Sequence, residues 1–125
     1  MGGIIYYGII SHVEIITKIL LPEKLKQMAA ATFGNLVKAV VDVEREIVAV
    51  DAELHSDLEA LLLGNGSKQK NLWGINFYPE MPGDEFLEFD SMINMRPSQG
   101  NRSRGVENEE THKKIVEIVA KRIKR

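Results

Sequence analysis

From position 91 to 105 the chain reads Ser-Met-Ile-Asn-Met-Arg-Pro-Ser-Gln-Gly-Asn-Arg-Ser-Arg-Gly. Arg96, Arg102 and Arg104 supply guanidinium forks, whose planar N–H pairs match the oxygens of phosphate and carboxylate. Asn94, Ser98, Gln99, Asn101 and Ser103 add neutral donors and acceptors. Successive backbone N–H groups in such a loop can form a nest for an anion. Gly100 and Gly105 permit the tight turns this requires. The chemistry spelled by these residues is capture of a phosphate-bearing anion: a nucleotide, a phosphorylated metabolite or an RNA backbone. The structural alternative is that the arginines pair with the chain's own acids, Glu88, Asp90 or the acidic start of the last helix. The Gly-x4-Gly-Lys-Ser/Thr pattern is absent, so this is not a P-loop.

A second constellation is Glu53, His55 and Asp57, with Asp51 before and Glu59 after. Carboxylates and an imidazole near a strand end could hold Mg²⁺, Mn²⁺ or Zn²⁺. In an extended run, positions 53, 55 and 57 point to one side. Ser56-Asp57-Leu58-Glu59 also reads as a capping box, which would make Asp57 a first-turn acid of a helix. A third set is Glu88 and Asp90, two residues apart on one strand face. Such a pair could share a proton or a metal, and Asp42 and Glu44 could join it if the hairpins are neighbours. His12 and His112 sit in no catalytic arrangement, and no Gly-x-Ser-x-Gly elbow occurs.

Alternating and helical patterns supply the elements that must position these groups. Val13 to Ile19 is rich in β-branched residues and reads as a strand. Pro22 suits a first helical turn, Leu25, Met28 and Ala29 share one face, and Gly34 can end that helix. Leu36–Val43 and Ile47–Ala52 form a hairpin around Glu44, Arg45 and Glu46. Leu58, Leu61 and Leu62 give the next helix its buried side, and Gly64-Asn-Gly-Ser67 stops it. Trp73, Ile75 and Phe77 alternate with Gly74, Asn76 and Tyr78. Leu87, Phe89, Ile93 and Met95 alternate with Glu88, Asp90, Asn94 and Arg96. The Pro-rich turn between these strands brings Asn76 to Glu88, so one sheet face should carry Asn76, Glu88, Asp90, Asn94 and Arg96. Asn108 can cap the last helix, whose stripe is Ile115, Ile118, Val119 and Ile123. Lys121, Arg122, Lys124 and Arg125 crowd its C-terminal end, where the helix dipole favours cations. The order β-α-β-β-α-β-β-α specifies an α+β fold, with helices packed on one side of a mainly antiparallel sheet.

The totals narrow the field. A chain of 125 residues suits one domain, here residues 13–125. Residues 1–12 form an N-terminal extension, an added edge strand or a flexible lead, with no cationic start or cleavage site of a signal peptide. With 44% hydrophobic and 27% charged residues the composition is that of a globular protein. A net charge of −2 gives no bulk attraction to nucleic acid or acidic membrane. The absence of cysteine excludes disulfides, thiolate metal sites and a cysteine nucleophile, and fits the cytoplasm. No apolar run reaches the roughly 20 residues of a membrane span.

The segments Ala52-Glu-Leu-His-Ser-Asp57, Gly66 to Pro79 and Phe89 to Val106 resemble a set of small prokaryotic proteins that form a domain family of unknown function. The likeness covers about residues 13 to 120. It implies a prokaryotic, cytoplasmic, single-domain protein and brings no activity, so it carries no catalytic residue over.

Three functions follow as expectations. In the first, the loop from Arg96 to Gly105 and the adjacent sheet face bind a phosphate-bearing small molecule or nucleic acid. In the second, a divalent metal held by Asp42, Glu53, His55, Asp57, Glu88 or Asp90 hydrolyses a phosphoester. In the third, the chain is a structural or homodimer-forming domain, without membrane attachment.

Overall fold

The computed structural model describes residues 13–125; the N-terminal extension and His12 lie outside them. Among the described residues five strands form one antiparallel sheet in the order β1-β3-β2-β4-β5. They are β1 (Glu14–Ile16), β2 (Val37–Asp42), β3 (Ile47–Val50), β4 (Leu72–Phe77) and β5 (Leu87–Glu88). Three α-helices of the described residues accompany them: α1 (Pro22–Ala31), α2 (His55–Gly64) and α3 (Glu109–Arg122). The α+β class and the antiparallel pairing are those the sequence specifies.

The helices do not share one side of the sheet. Leu25, Met28 and Ala29 of α1 and Ile115, Ile118 and Val119 of α3 pack with Val37, Ala39, Val41, Trp73, Ile75 and Phe77. Leu58 and Leu62 of α2 pack with Val40, Ile47, Ala49 and Leu72 on the opposite face. The central strands are buried on both faces, which explains the near-continuous valine of β2 and β3.

Two local expectations are overturned. Ser56 does not cap α2. The helix begins at His55, the preceding Leu54 makes no side-chain cap, and Leu61 is exposed. Burial of Leu58 and Leu62 and the bond from the His55 ring to Ile75 O hold the helix in this phase. The second alternating strand ends at Glu88 rather than running to Met95. Ser91 instead caps a 3₁₀ turn over Met92–Asn94, its Oγ accepting from Ile93 N at 3.3 Å.

What replaces the missing strand is a side chain. Asn94 is fully buried, and its amide lies against the free edge of β4. Gly74 N donates to Asn94 Oδ1 at 2.8 Å, and Asn94 Nδ2 donates to Gly74 O at 3.0 Å. The carboxamide thus repeats the two-bond pattern of a neighbouring peptide. Gly74 is small because a Cβ there would lie 2.4 Å from Ser91 Cβ.

Candidate functional site

The segment from Ser91 to Glu107 is built from its buried polar groups outward. Arg96 N donates to Asn101 O at 2.8 Å and Asn101 N to Arg96 O at 3.1 Å, closing a tip over residues 97–100. Ser98 and Gln99 are exposed on that tip. The Asn101 side chain is the hub below it. Its Nδ2 reaches Asn94 O at 2.7 Å, Gly105 O at 2.8 Å and Ser103 O at 3.1 Å. Its Oδ1 accepts from Glu107 N at 2.9 Å. Asn94 Nδ2 also reaches Arg104 O at 2.8 Å, tying the loop's return limb to β4.

The three arginines divide. Arg96 is only 8% exposed. Its Nη1 donates to Gln69 O at 2.6 Å and its Nη2 to Leu72 O at 2.8 Å, with its guanidinium 4.0 Å from the centre of the Trp73 ring. Burial lowers its pKa from the ordinary arginine value. Arg96, Asn94 and Asn101, expected to contact a ligand, instead have their side-chain groups inside the protein. Tertiary packing brings backbone carbonyls to them: Gly74 O and Arg104 O to Asn94, Gln69 O and Leu72 O to Arg96, and Asn94 O to Asn101.

Arg102 and Arg104 remain on the surface. The Arg104 side chain is half exposed and donates from Nε to Asp90 Oδ1. This pairing raises the Arg104 pKa, and the charge of Glu88 adds to it. Neither Nη atom of Arg104 makes a hydrogen bond within the described residues, and the Arg102 guanidinium has no ion pair there. The nest anticipated from the loop's composition does form, and its anion is internal. Arg102 N and Ser103 N both donate to Glu107 Oε2, at 2.8 and 2.7 Å. Bonding to the Ser103 side chain and to these two N–H groups holds the Glu107 carboxyl below the usual carboxylate range.

Beside this loop lies the polar end of the α2-facing sheet surface. Register places Lys38, Asn76 and Glu88 in a row across β2, β4 and β5. Asn76 Nδ2 donates to Glu88 Oε1 at 2.9 Å and to Asp90 O at 3.2 Å, and Tyr78 OH donates to Glu88 Oε1 at 2.9 Å. Burial, then the neighbouring Glu88, raises the Tyr78 pKa. The expected face is therefore real for Asn76 and Glu88, Asp90 lies just past the end of β5 beside them, and Asn94 and Arg96 leave it. His55 enters from α2 with Nε2 2.8 Å from Ile75 O. A carbonyl can only accept, so Nε2 carries the proton in the neutral ring. Burial lowers the His55 pKa, against the raising effect of the Ile75 carbonyl.

The metal candidates do not converge. Glu53 and Asp57 are exposed, His55 turns to a carbonyl, and Glu88 and Asp90 are bonded as described. Asp42 pairs with Leu72, four residues along β4 from Asn76, about 13 Å away at strand rise. Its Oδ1 instead accepts from Glu44 N and Arg45 N in the hairpin turn. Among the described residues no three His, Asp or Glu side chains lie close enough to hold one ion.

A groove of about 670 Å³ runs between α3 and residues 83–89, with Phe86, Phe89, His112, Val116 and Ile123 along it. Val116, an apolar residue outside the α3 stripe, is 43% exposed in it. The basic end of α3 is engaged locally: Lys121 with Glu46, Arg122 with Glu46 O, and Arg125 with Gly83 O and the Phe86 ring.

The fold and site define a small α+β protein, a two-faced antiparallel sheet with a self-braced arginine loop at one edge. The chain belongs to the family described as Protein of unknown function (DUF5674), whose model matches residues 14–122. No curated protein and no solved structure matches it. No helix among the described residues is long and apolar enough to cross a membrane.

Proposed function

We propose that the protein is a binding module for a phosphate-bearing anion, taken at the outer surface of residues 98–104 by Arg102 and Arg104. The observation that carries this reading is the way Arg104 is held. Asp90 grips Nε, which orients the guanidinium, and among the described residues neither Nη group has a hydrogen-bond partner. An arginine fork oriented in this way meets phosphate oxygens with little further ordering. Ser98 and Gln99 on the exposed tip add neutral contacts. Arg96, Asn94 and Asn101 serve as the brace. The metal hydrolase would need a cluster of three ligands, and the described residues bring none together. Function in the prokaryotic cytoplasm goes with this reading.

The test is calorimetric titration of the full chain with inorganic phosphate and pyrophosphate at low ionic strength. Arg102→Ala and Arg104→Ala should each weaken binding several-fold, and added salt should weaken it further. Absence of heat and of any thermal shift with both anions would refute the reading. A homodimer is the second reading, favoured by the apolar groove at α3. It predicts a dimer mass by light scattering that Val116→Glu reduces to a monomer.

A further inference from the structure

The polar row next to the arginines bears on what the anion is attached to. Glu88 receives two neutral donors, Asn76 Nδ2 and Tyr78 OH, and both land on Oε1. The carboxylate is thereby fixed in orientation while Oε2 has no hydrogen-bond donor within the described residues. A carboxylate oxygen so placed is an acceptor with its direction already set, and hydroxyl groups are the donors that suit it without adding charge. Tyr78 adds to this. Its O–H proton is spent on Glu88, so its oxygen lone pairs can only accept. Arg104 Nε is held by the side chain of Asp90, and the backbone O of Asp90 accepts from the same Asn76 Nδ2 that reaches Glu88 Oε1, so the arginine and Glu88 flank one residue. One small molecule can therefore place an anionic group on Arg104 and a hydroxyl on Glu88. A second acid beside the arginines would only repel a bare anion. It favours an anion that brings donors with it.

The geometry points to a phosphate monoester of a polyhydroxy compound, a sugar phosphate or ribonucleotide, with Arg102 and Arg104 on the phosphate and Glu88 selecting the hydroxyls. This rests on the anion-binding reading above and adds the substrate class to it. Asn76 and Tyr78 are positioning residues that aim Glu88.

Methyl phosphate and glycerol 3-phosphate test it, since the two share a phosphate monoester and differ in hydroxyls. Both are titrated calorimetrically against the full chain and against Glu88→Gln and Tyr78→Phe, with circular dichroism to confirm folding. The wild type should bind glycerol 3-phosphate about tenfold more tightly, the size of one hydrogen bond to a charged group. Glu88→Gln should abolish that preference while leaving methyl phosphate bound at least as tightly. Tyr78→Phe should reduce the preference in the same direction, because Oε1 loses one of its two donors. Equal affinity of the wild type for the two esters, or a preference that survives Glu88→Gln, overturns this inference alone. Failure of methyl phosphate to bind at all overturns the anion reading and this inference with it.

Discussion

Replacing Asn94 by alanine removes three hydrogen bonds at once, to Gly74 N, Gly74 O and Arg104 O. The Arg104 carbonyl keeps a second donor, Ser91 N at 3.0 Å. The N–H and C=O of Gly74 keep no other partner among the described residues, because both face the edge that Asn94 covers. Each orphaned buried group costs about 1–3 kcal/mol, and the loss of packing around a fully buried side chain adds to it. The expected destabilisation is about 3–5 kcal/mol, a large part of the ~5–15 kcal/mol that holds a domain together. Trp73 is the single tryptophan and lies beneath Arg96 in the same unit, so its fluorescence reports the loop and the sheet together. Urea unfolding followed at that signal should show a midpoint lowered by about 2 M, given the usual m-values of such domains. Asn94→Asp tests the direction of the bonds. It keeps the acceptor for Gly74 N but cannot donate to Gly74 O while ionised, so it should be at least as damaging at neutral pH. Acidification should restore part of its stability, since a protonated carboxyl regains a donor. A loss below about 1 kcal/mol for Asn94→Ala, within the range of ordinary surface changes such as Ser98→Ala, would refute the idea that a side chain completes the sheet edge.

Further outcomes follow from the same geometry. Gly74→Ala should cost about 1–3 kcal/mol through overpacking against Ser91. Ser91→Gly should be less damaging in that background than in the wild type, a coupling that a double-mutant cycle measures. His55 has a folded pKa below its free value of 6.5. Protonation then favours the unfolded chain: this contribution is fully present above pH 6.5 and declines as pH falls below it, so NMR titration should place the His55 midpoint under 6.5. Glu46 is lowered to about 2 by bonds to Lys114 and then Lys121. Its contribution is present above 4.5 and is lost as pH falls toward 2, so Glu46→Gln should flatten the acid-unfolding profile over that window. Arg96→Ala should lower the melting temperature without changing the salt dependence of phosphate binding, which separates the brace from the exposed arginines.

Strand and helix periodicity determined by themselves the α+β class, the two hairpins, the core role of Trp73, Ile75 and Phe77, and the Asn108 cap of α3, whose Oδ1 accepts from Thr111 N at 2.9 Å. These depend on neighbours within a few residues along the chain, where spacing is informative. The sequence also named the loop's polar residues and posed the choice between outside and inside partners. It could not make that choice, because Gln69 O, Leu72 O and Gly74 lie 20 or more residues from the groups they bind. A side-chain amide standing in for a strand leaves the same alternating pattern as a strand, so Asn94 was indistinguishable from a face residue. The opposed faces taken by α2 and by α1 with α3 were likewise open, since an apolar stripe says that a helix is covered and not by which side of the sheet. Tertiary structure decided these points. It turned Arg96 inward and filled the nest with Glu107. It left Arg102 and Arg104 exposed, and among the described residues it left the Nη groups of Arg104 and one oxygen of Glu88 without a hydrogen-bond partner.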